Sequence, residues 1–485
     1  MTFVSELEPR QVWQHFDEIL KIPRGSGNEQ GMRDYVIGIA KKHGLNFKQD
    51  KIGNIVVTKP SANGQDHTTT VVLQSHLDMV NEKNSEIQHN FNKDAIQPRL
   101  DGEYLKATGT TLGSDNGIGV AAALAMMESK EVRHGPLEFL FTVDEETGLT
   151  GASGLAEDML AGRYLINLDT EEEGALYVGC AGGGGSEILL PLKETPASKN
   201  HVALQLKLSG LRGGHSGVDI HLQRGNANKL LARMLYRMLR DDHVPFKLAG
   251  FFGGNKHNAI PREAFAVVHL PRKQQSEFEQ ALQAQIKAIQ SEYQTVEPAL
   301  ALSTSPTKAK KAWSGKTTAR VLALLQALPH GVIMMSNDIP GLVETSTNLA
   351  IVEMKKKGLR MHCSTRSSVA SSLQSVKDQV RAIAEAFGAE VGEVEGYPGW
   401  KPDLNSKVLA VAKQVHLEVF GVEPEIKAIH AGLECGIIGV KYPGMDMVSM
   451  GPQIENPHSP DERVKIRTVG NFYKLLTGTL EKLAA

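Results

Sequence analysis

The chain has 485 residues, of which 41% are hydrophobic and 22% are charged, as in a globular protein with a full core. Its 53 Lys and Arg residues nearly balance 55 Asp and Glu residues, so neither nucleic acid nor a membrane surface is expected as a partner. The 3 widely spaced cysteines argue against a disulfide framework and a thiolate zinc site. The first ten residues do not form a secretory signal, and no apolar run reaches the ~18 residues of a membrane span. A cytoplasmic location is therefore expected.

The first part of the chain alternates helical and strand patterns. Buried apolar runs are separated by amphipathic segments, which is typical of an α/β sheet flanked by helices. Pro9 is expected in the first turn of the first helix. Predicted helices cover residues 5–20, 29–43 and 116–129, and predicted strands cover residues 54–58, 68–80, 137–146 and 164–172.

The pattern changes at the glycine run 182–185, which is expected to act as a hinge. Beyond it, segments of alternating polarity and amphipathic helices predict an inserted α+β domain, with hinges near 180–187 and 395–402. The α/β pattern then returns. Predicted strands cover 202–211, 263–271, 347–367, 426–430 and 446–450, and predicted helices cover 226–240, 276–293, 406–420 and 464–484.

Acids and histidines stand at or near the ends of predicted strands. The carboxyl ends of strands in an open α/β sheet form the ligand crevice, so these groups are expected to converge. Buried carboxylates must be paired or bind metal. The residues are His76 and Asp78 in SHLDMV, Asp115 in GSDNG, Asp144, Glu145 and Glu146 in TVDEETG, Asp169 in INLDTEE, and His458 in ENPHSP.

Two histidines and three carboxylates are too many ligands for one hydrolytic metal ion but suit two ions that share a carboxylate. Two Zn²⁺ ions would face the negative charges of Asp115, Glu146 and Asp169, and a bridging hydroxide would complete neutrality. Glu145 then remains to move the proton of the attacking water. Asp78 is placed to accept the second imidazole N–H of His76.

The ordered set resembles the dizinc metallopeptidases that include carnosinases, tripeptidases and glutamate carboxypeptidases. Over essentially the whole chain, motifs such as QSHLDMV, TTLGSDNGIG, NAIPREAFA and MDMVSMGP are similar to those of the cytosolic aminoacyl-histidine dipeptidases, also called Xaa-His dipeptidases. The resemblance implies two Zn²⁺ per subunit, with Co²⁺ or Mn²⁺ as substitutes. It also implies a catalytic dizinc domain formed by residues 1–184 and 399–485, and an inserted lid and dimerisation domain, residues 185–398, that forms a homodimer.

The resemblance also assigns roles to the metal-site residues. Asp115 bridges both ions, His76 and Asp169 complete one site, and Glu146 and His458 complete the other. Glu145 is the general acid/base, and Asp78 is the carboxylate that orients His76.

Three further residues have two interpretations each. His215 in LRGGHSG matches a histidine that reaches the substrate carbonyl from the partner subunit, or it caps a turn. Arg366 in CSTRS matches an arginine that binds the terminal carboxylate of the substrate, or it forms an exposed salt bridge. Glu434 in HAGLECG is expected near the free amine of the substrate or as a loop cap, and the neighbouring His430 is a rival ligand to His458.

The implied function is the hydrolysis of Xaa-His dipeptides, including carnosine-like β-alanyl-histidine, by a metal-bridged hydroxide. The alternative within the same class is a tripeptidase or an N-acyl amino acid deacylase with the same metal core. A metal-dependent binding or scaffold protein is disfavoured, because such a protein has no need of an unligated base such as Glu145. A serine hydrolase is weaker still, because GASG at 151–154 is one residue short of G-x-S-x-G.

Overall fold

A computed structural model of the chain describes residues 2–62, 64, 67–198 and 200–485. The chain forms two compact units. The first unit combines Met1–Gly179, Trp400–Ala428 and Leu433–Ala485, and the second combines Cys180–Gly399 with Ile429–Gly432. Within the described residues, no helix is both long enough and apolar enough to cross a membrane.

The described residues of the first unit are built on an eight-stranded sheet. Its central strands Leu137–Thr142, Val71–His76 and Tyr164–Asn167 run parallel. The first two are buried along their whole length, which explains why their sequences are apolar at most positions on both faces. In spatial order the strands are Asn46–Gln49, Ile55–Lys59, Leu137–Thr142, Val71–His76, Tyr164–Asn167, Asp446–Ser449, Ala175–Cys180 and Glu425–Ile429.

Helices and a small sheet complete the first unit. The predicted helix 116–129 is observed as Ser114–Glu128, and nearly all of its residues are buried. The placement of Pro9 in the first helical turn is wrong, because Pro9 is the N-cap of Arg10–Ile19. The other α-helices are Gln30–Lys42, Glu145–Gly148, Thr150–Gly154, Lys407–Phe420, Glu434–Lys441 and Ile466–Leu483, a 3₁₀ turn covers Phe3–Glu6, and the small sheet contains Ile454–Glu455, Arg463–Lys465, Tyr104–Ala107 and Pro98–Asp101.

The second unit, in its described residues, has a nine-stranded antiparallel sheet packed against helices. The strand predicted over 347–367 is in fact two strands, which turn at Lys356 and Lys357. The strands are Ala301–Thr307, His201–Ser209, Ala264–Pro271, Lys247–Gly253, Val343–Lys355, Gly358–Ser367, Gly182–Leu190, Glu390–Tyr397 and Gly331–Met335. The remaining elements are the helices Ala227–Arg240, Gln275–Tyr293, Gly315–Ala327 and Ala370–Ala386, the 3₁₀ turns Ile220–Leu222 and Arg272–Gln274, and the short strands Glu194–Pro196, Lys311–Trp313, Gly214–His215 and Ala259–Ile260.

The glycines predicted as a hinge instead begin the strand Gly182–Leu190. Gly183 pairs with Arg366 on one side and with Tyr397 on the other. A Cβ atom on Gly183 would lie 2.9 Å from the Tyr397 ring, so a larger residue would displace that side chain. The glycine is therefore required by close packing around Arg366 and Tyr397.

The fold class predicted from the sequence is confirmed. A helix-flanked mixed sheet with a parallel centre is interrupted in sequence by a unit whose antiparallel sheet and helices have α+β character.

Candidate active site

The ends of parallel strands bring the predicted site residues of the first unit together. His76 is the last residue of its strand, and Asp169 follows two residues after the strand Tyr164–Asn167. Asp115 lies at the beginning of the segment Ser114–Glu128, where its own backbone is not helical (φ −80°, ψ 113°). Groups of potential ligand atoms within 4.8 Å of one another are formed by His76, Asp115 and Asp169, by Asp115, Glu146 and His458, and by His76, Glu145 and Glu146.

Asp115 is shared between two histidines. Its Oδ1 lies 3.1 Å from His76 Nε2, and its Oδ2 lies 3.1 Å from His458 Nε2. His76 Nε2 is also 3.4 Å from Asp169 Oδ1, and His458 Nε2 is 3.0 Å from Glu146 Oε2. The geometry therefore consists of two His–carboxylate sets joined by one carboxylate.

Negative charge is concentrated at this centre. Burial raises the pKa of Asp169 to about 6 and, together with neighbouring carboxylates, raises that of Glu145 well above its ordinary value. Hydrogen bonds to Asp115 and Glu146 raise the pKa of His458 to about 11. These carboxylates raise one another's pKa, and they also favour the protonated form of an imidazole. Such a concentration of negative charge is stabilised by additional positive charge.

A divalent metal ion fits this requirement. Oε1 of Glu146 is buried and accepts no hydrogen bond from any described residue. Imidazole nitrogens and carboxylate oxygens are the donors that zinc takes in hydrolytic enzymes. A cation between these donors would neutralise the carboxylates and use the unpartnered oxygen.

Asp78 connects the two sides of the centre. Its Oδ1 lies 3.2 Å from His76 Nδ1 and accepts the Glu145 amide at 3.0 Å. Its Oδ2 accepts Ser26 Oγ at 2.8 Å and the Glu146 amide at 3.2 Å. Although burial favours the neutral acid, these hydrogen bonds lower the pKa of Asp78 to about 2. One ionised carboxylate thus fixes both an imidazole and the turn that carries the two glutamates.

The strand predicted over 137–146 ends earlier, at Thr142. The chain then turns through Asp144, whose φ of 51° lies in the left-handed region, into the helical turn Glu145–Gly148. This turn directs the amides of Glu145 and Glu146 at Asp78. The strained turn at Asp144 therefore places both glutamates at the centre.

Glu434 lies in the first unit at the beginning of the helix Glu434–Lys441, and it is buried. Its Oε2 accepts hydrogen bonds from Gln74 Nε2 and Thr142 Oγ1, both at 2.6 Å. Burial raises its pKa to about 7, and its charge contributes to the raised pKa of Glu145. Oε1 of Glu434 is buried and accepts no hydrogen bond from the described chain, so it is available to a donor from outside.

His215 and Arg366 lie in the second unit, with His215 Nε2 3.5 Å from Arg366 Nη2. His215 Nδ1 accepts the amides of Gly217 and Val218 at 3.3 and 3.0 Å. Burial and the charge of Arg366 lower the pKa of His215 to about 4. The neutral imidazole therefore carries its proton on Nε2, and two donors approach the same space.

The alternative interpretation of Arg366 as an exposed salt bridge is wrong. Arg366 is only 7% exposed and donates to Tyr397 Oη at 2.8 Å, a neutral partner. His430 also lies in the second unit, where its Nε2 is 2.7 Å from Ser346 Oγ. It belongs to no cluster of potential metal ligands in the described chain, so nothing supports it as a rival to His458.

Sequence reasoning missed three charged residues near the centre. Glu171, in the same INLDTEE stretch as Asp169, has a pKa raised well above its usual value by burial and by the charges of Asp115 and Asp169. Arg24 and Glu462 are buried and contact the backbone around the candidate ligands. The position of Glu171 two residues after Asp169 could have drawn attention to it, whereas Arg24 and Glu462 lie outside any pattern that the sequence analysis used.

Comparisons with known proteins agree with this geometry. The sequence profile of Peptidase family M20/M25/M40 matches residues 72–482. The chain belongs to this peptidase family. It is 42% identical over 486 residues to the cytosol non-specific dipeptidase of Escherichia coli K12, with all of both chains covered.

Solved structures of the family extend the comparison. The aminoacylhistidine dipeptidase of Vibrio alginolyticus is 40% identical, with a TM-score of 0.91 over 99% of this chain and 98% of that one. A tripeptidase of Staphylococcus aureus is 16% identical, with a TM-score of 0.56 over 99% of each chain, and shares the fold. Membership of the peptidase family confirms the prediction that the protein is an enzyme.

The Asp78→Asn substitution is expected to lower kcat/KM for a dipeptide about 10²- to 10³-fold. An asparagine amide group would face donors that now bind a carboxylate, so His76 and the Glu145 turn would lose their common anchor. Asp446→Asn is the matched control, because Asp446 begins another strand of the first unit, accepts the Lys407 amide at 2.9 Å and belongs to none of the groups of potential ligands in the described chain. Steady-state kinetics of both variants check this. Equal activity of Asp78→Asn and wild type would contradict it.

Proposed function

We propose that the chain is a metal-dependent dipeptidase that hydrolyses Xaa-His dipeptides, including β-alanyl-histidine. The sharing of Asp115 between His76 and His458, with Glu145 beside them, carries the proposal. The names of the Vibrio and E. coli relatives support dipeptide substrates, and the Vibrio name supports histidine at the carboxyl end. The E. coli name also supports a cytoplasmic location.

Two divalent ions, with zinc as the expected metal, would be held by the two His–carboxylate sets. When bound, the ions would polarise the scissile carbonyl and lower the pKa of the attacking water. Their ligands would be His76, Asp115 and Asp169 for one ion and Asp115, Glu146 and His458 for the other. Co²⁺ or Mn²⁺ would be accepted by the same donors.

Glu145 would take the proton of the water and deliver it to the leaving amine. Burial and neighbouring carboxylates raise the pKa of Glu145, which favours a group that must accept a proton and then release it. Asp78 would fix the position of the His76 ring relative to the Glu145 turn, because its carboxylate contacts both.

The second unit would contact the substrate through two donors. The Nε2–H of neutral His215 suits a developing oxyanion, and the guanidinium of Arg366 suits the terminal carboxylate. The family resemblance favours action of His215 on substrate bound in the partner subunit of a homodimer. The strand Gly331–Met335 supports a subunit interface, because Ile333, Met334 and Met335 are all about 40–50% exposed.

Glu434 would bind the free amine of the dipeptide through its unpartnered Oε1. An ammonium group is the natural partner of a buried carboxylate oxygen that has no other donor. An N-acyl amino acid would leave this oxygen unpaired. The arrangement therefore favours a dipeptidase over a deacylase.

The Glu145→Gln variant tests the proposed proton transfer. We expect retention of two bound divalent ions by elemental analysis and a fall in kcat of about 10²- to 10⁴-fold, because the amide keeps the shape but cannot accept the proton. Asp446→Asn serves again as the control. Turnover of Glu145→Gln near that of wild type would exclude Glu145 as the base.

Substrate length and end groups test the specificity. Chelated enzyme should be inactive, and zinc-reconstituted enzyme should cleave Xaa-His dipeptides faster than a tripeptide, a C-terminally amidated dipeptide or an N-acetyl amino acid.

The Arg366→Lys variant tests the binding of the terminal carboxylate. It should raise KM more than it lowers kcat, because the two parallel hydrogen bonds of a guanidinium to a carboxylate are lost. Equal cleavage of amidated and free dipeptides would contradict the role of Arg366. Equal cleavage of dipeptides with and without histidine would assign a broader dipeptidase.

Mixed dimers test the action of His215 across subunits. His215→Ala and Glu145→Ala should each be nearly inactive, but random reassortment of equal amounts should restore about a quarter of all sites in a two-fold dimer. Native mass spectrometry reports whether the subunits have exchanged. Exchange without any recovered activity would exclude the role in trans.

A further inference from the structure

The buried carboxylate of Glu462 holds the loop that leads into Asp115. Its Oε2 accepts the amides of Leu112 and Gly113 at 2.8 and 2.9 Å. Its Oε1 accepts the amide and hydroxyl of Ser114 at 2.7 and 2.6 Å. Oε1 also accepts the amide of Asp115 at 3.4 Å. Both oxygens are therefore used, and the loop is held by five donors from four consecutive residues.

Arg24 holds the same loop from its carbonyl side. This guanidinium is 2% exposed and donates to the carbonyl oxygens of Leu77 and Asp78 at 3.1 and 2.7 Å. It also donates to the carbonyl of Gly113. The backbone that follows His76 is thus joined to the backbone that precedes Asp115.

The two charges meet at Gly113, whose amide faces Glu462 and whose carbonyl faces Arg24. Gly113 has a φ of 73°, and a Cβ atom there would lie 2.5 Å from Arg24 Nη2. Glycine is required because the backbone is left-handed and the guanidinium packs directly on it.

Glu462 also belongs to the segment that carries His458. The two are four residues apart, and the Glu462 amide donates to the Ser459 carbonyl at 3.0 Å, which closes the turn between them. The segments of His76, Asp115 and His458 are therefore connected through one buried pair of opposite charges.

We propose that Glu462 and Arg24 are positioning residues that hold Asp115 where each of its oxygens faces one histidine. The inference rests on the proposed metal centre, and it adds the buried pair that sets the spacing of the ligands. A neutral residue at position 462 could not accept all five hydrogen bonds, so the loop would move and Asp115 would lose one of its two partners.

Zinc affinity of the full-length protein tests the proposal. Metal-free protein is titrated with Zn²⁺ in competition with a chromophoric chelator, and thermal unfolding of the metal-free form is recorded in parallel. Glu462→Gln should bind Zn²⁺ about 10- to 100-fold more weakly than wild type. At saturating zinc its kcat should fall while its KM for a dipeptide stays near that of wild type.

Glu138→Gln is the matched control. Glu138 is another buried glutamate of the first unit, and it accepts the amides of Ala161 and Gly162 at 2.9–3.1 Å. Its variant should lower the melting temperature of the metal-free protein as Glu462→Gln does, but it should leave zinc affinity unchanged. A merely structural role of Glu462 would make the two variants alike.

Ser114→Ala provides a second variant if Glu462→Gln does not fold. It removes the hydroxyl hydrogen bond to Glu462 Oε1, leaves the backbone amides in place, and should weaken zinc binding by a smaller factor in the same direction. Two results would overturn this inference and leave the proposed function standing. One is wild-type zinc affinity in both Glu462→Gln and Ser114→Ala, and the other is a loss of zinc affinity in Glu138→Gln equal to that in Glu462→Gln. A wild-type protein that binds no divalent ion would overturn the proposed function as well.

Discussion

The two oxygens of Asp115 impose the main constraint on the first unit. Each faces a different imidazole at 3.1 Å, so a displacement that improves one contact lengthens the other. The strand that ends at His76 and the C-terminal segment that carries His458 must therefore both be fixed relative to one short loop. The buried contacts of Arg24 and Glu462 serve this requirement, because each joins two of these segments. Asp78 in turn joins the His76 segment to the turn that carries Glu145.

The sequence predicted the residues that converge because each lies within a few positions of an apolar strand or a helix start. His76 and Asp169 follow buried runs whose parallel arrangement sends both to one edge of the sheet. The lengths of the elements were less accurate. The strand predicted over 137–146 included the acidic residues 144–146, but the observed strand ends at Thr142 and the chain turns in the left-handed region at Asp144.

The supporting residues could not be predicted, because their partners are backbone groups far away in the chain. Glu462 accepts hydrogen bonds from backbone amides that are about 350 residues away in the sequence. The spacing of residue types along the chain gives no information on such a contact. Gln74 is similar. Asn167 Nδ2 donates to Gln74 Oε1 at 2.6 Å, which turns the Gln74 amide so that its Nε2 faces Glu434. A buried strand glutamine thus orients a carboxylate 360 positions later.

The hydrogen bonds of Arg24 explain why the carboxylates of the centre keep the capacity to bind cations from solution. Arg24 interacts electrostatically with Asp78, Asp115 and Glu146, yet its hydrogen bonds within the described chain go to three backbone carbonyls. A guanidinium directed at the carboxylates would satisfy them permanently and leave no need for another charge. Because Arg24 is committed to the backbone, the carboxylate oxygens keep their capacity for ligands. The same buried arginine therefore stabilises the loop and leaves Glu146 Oε1 without a partner.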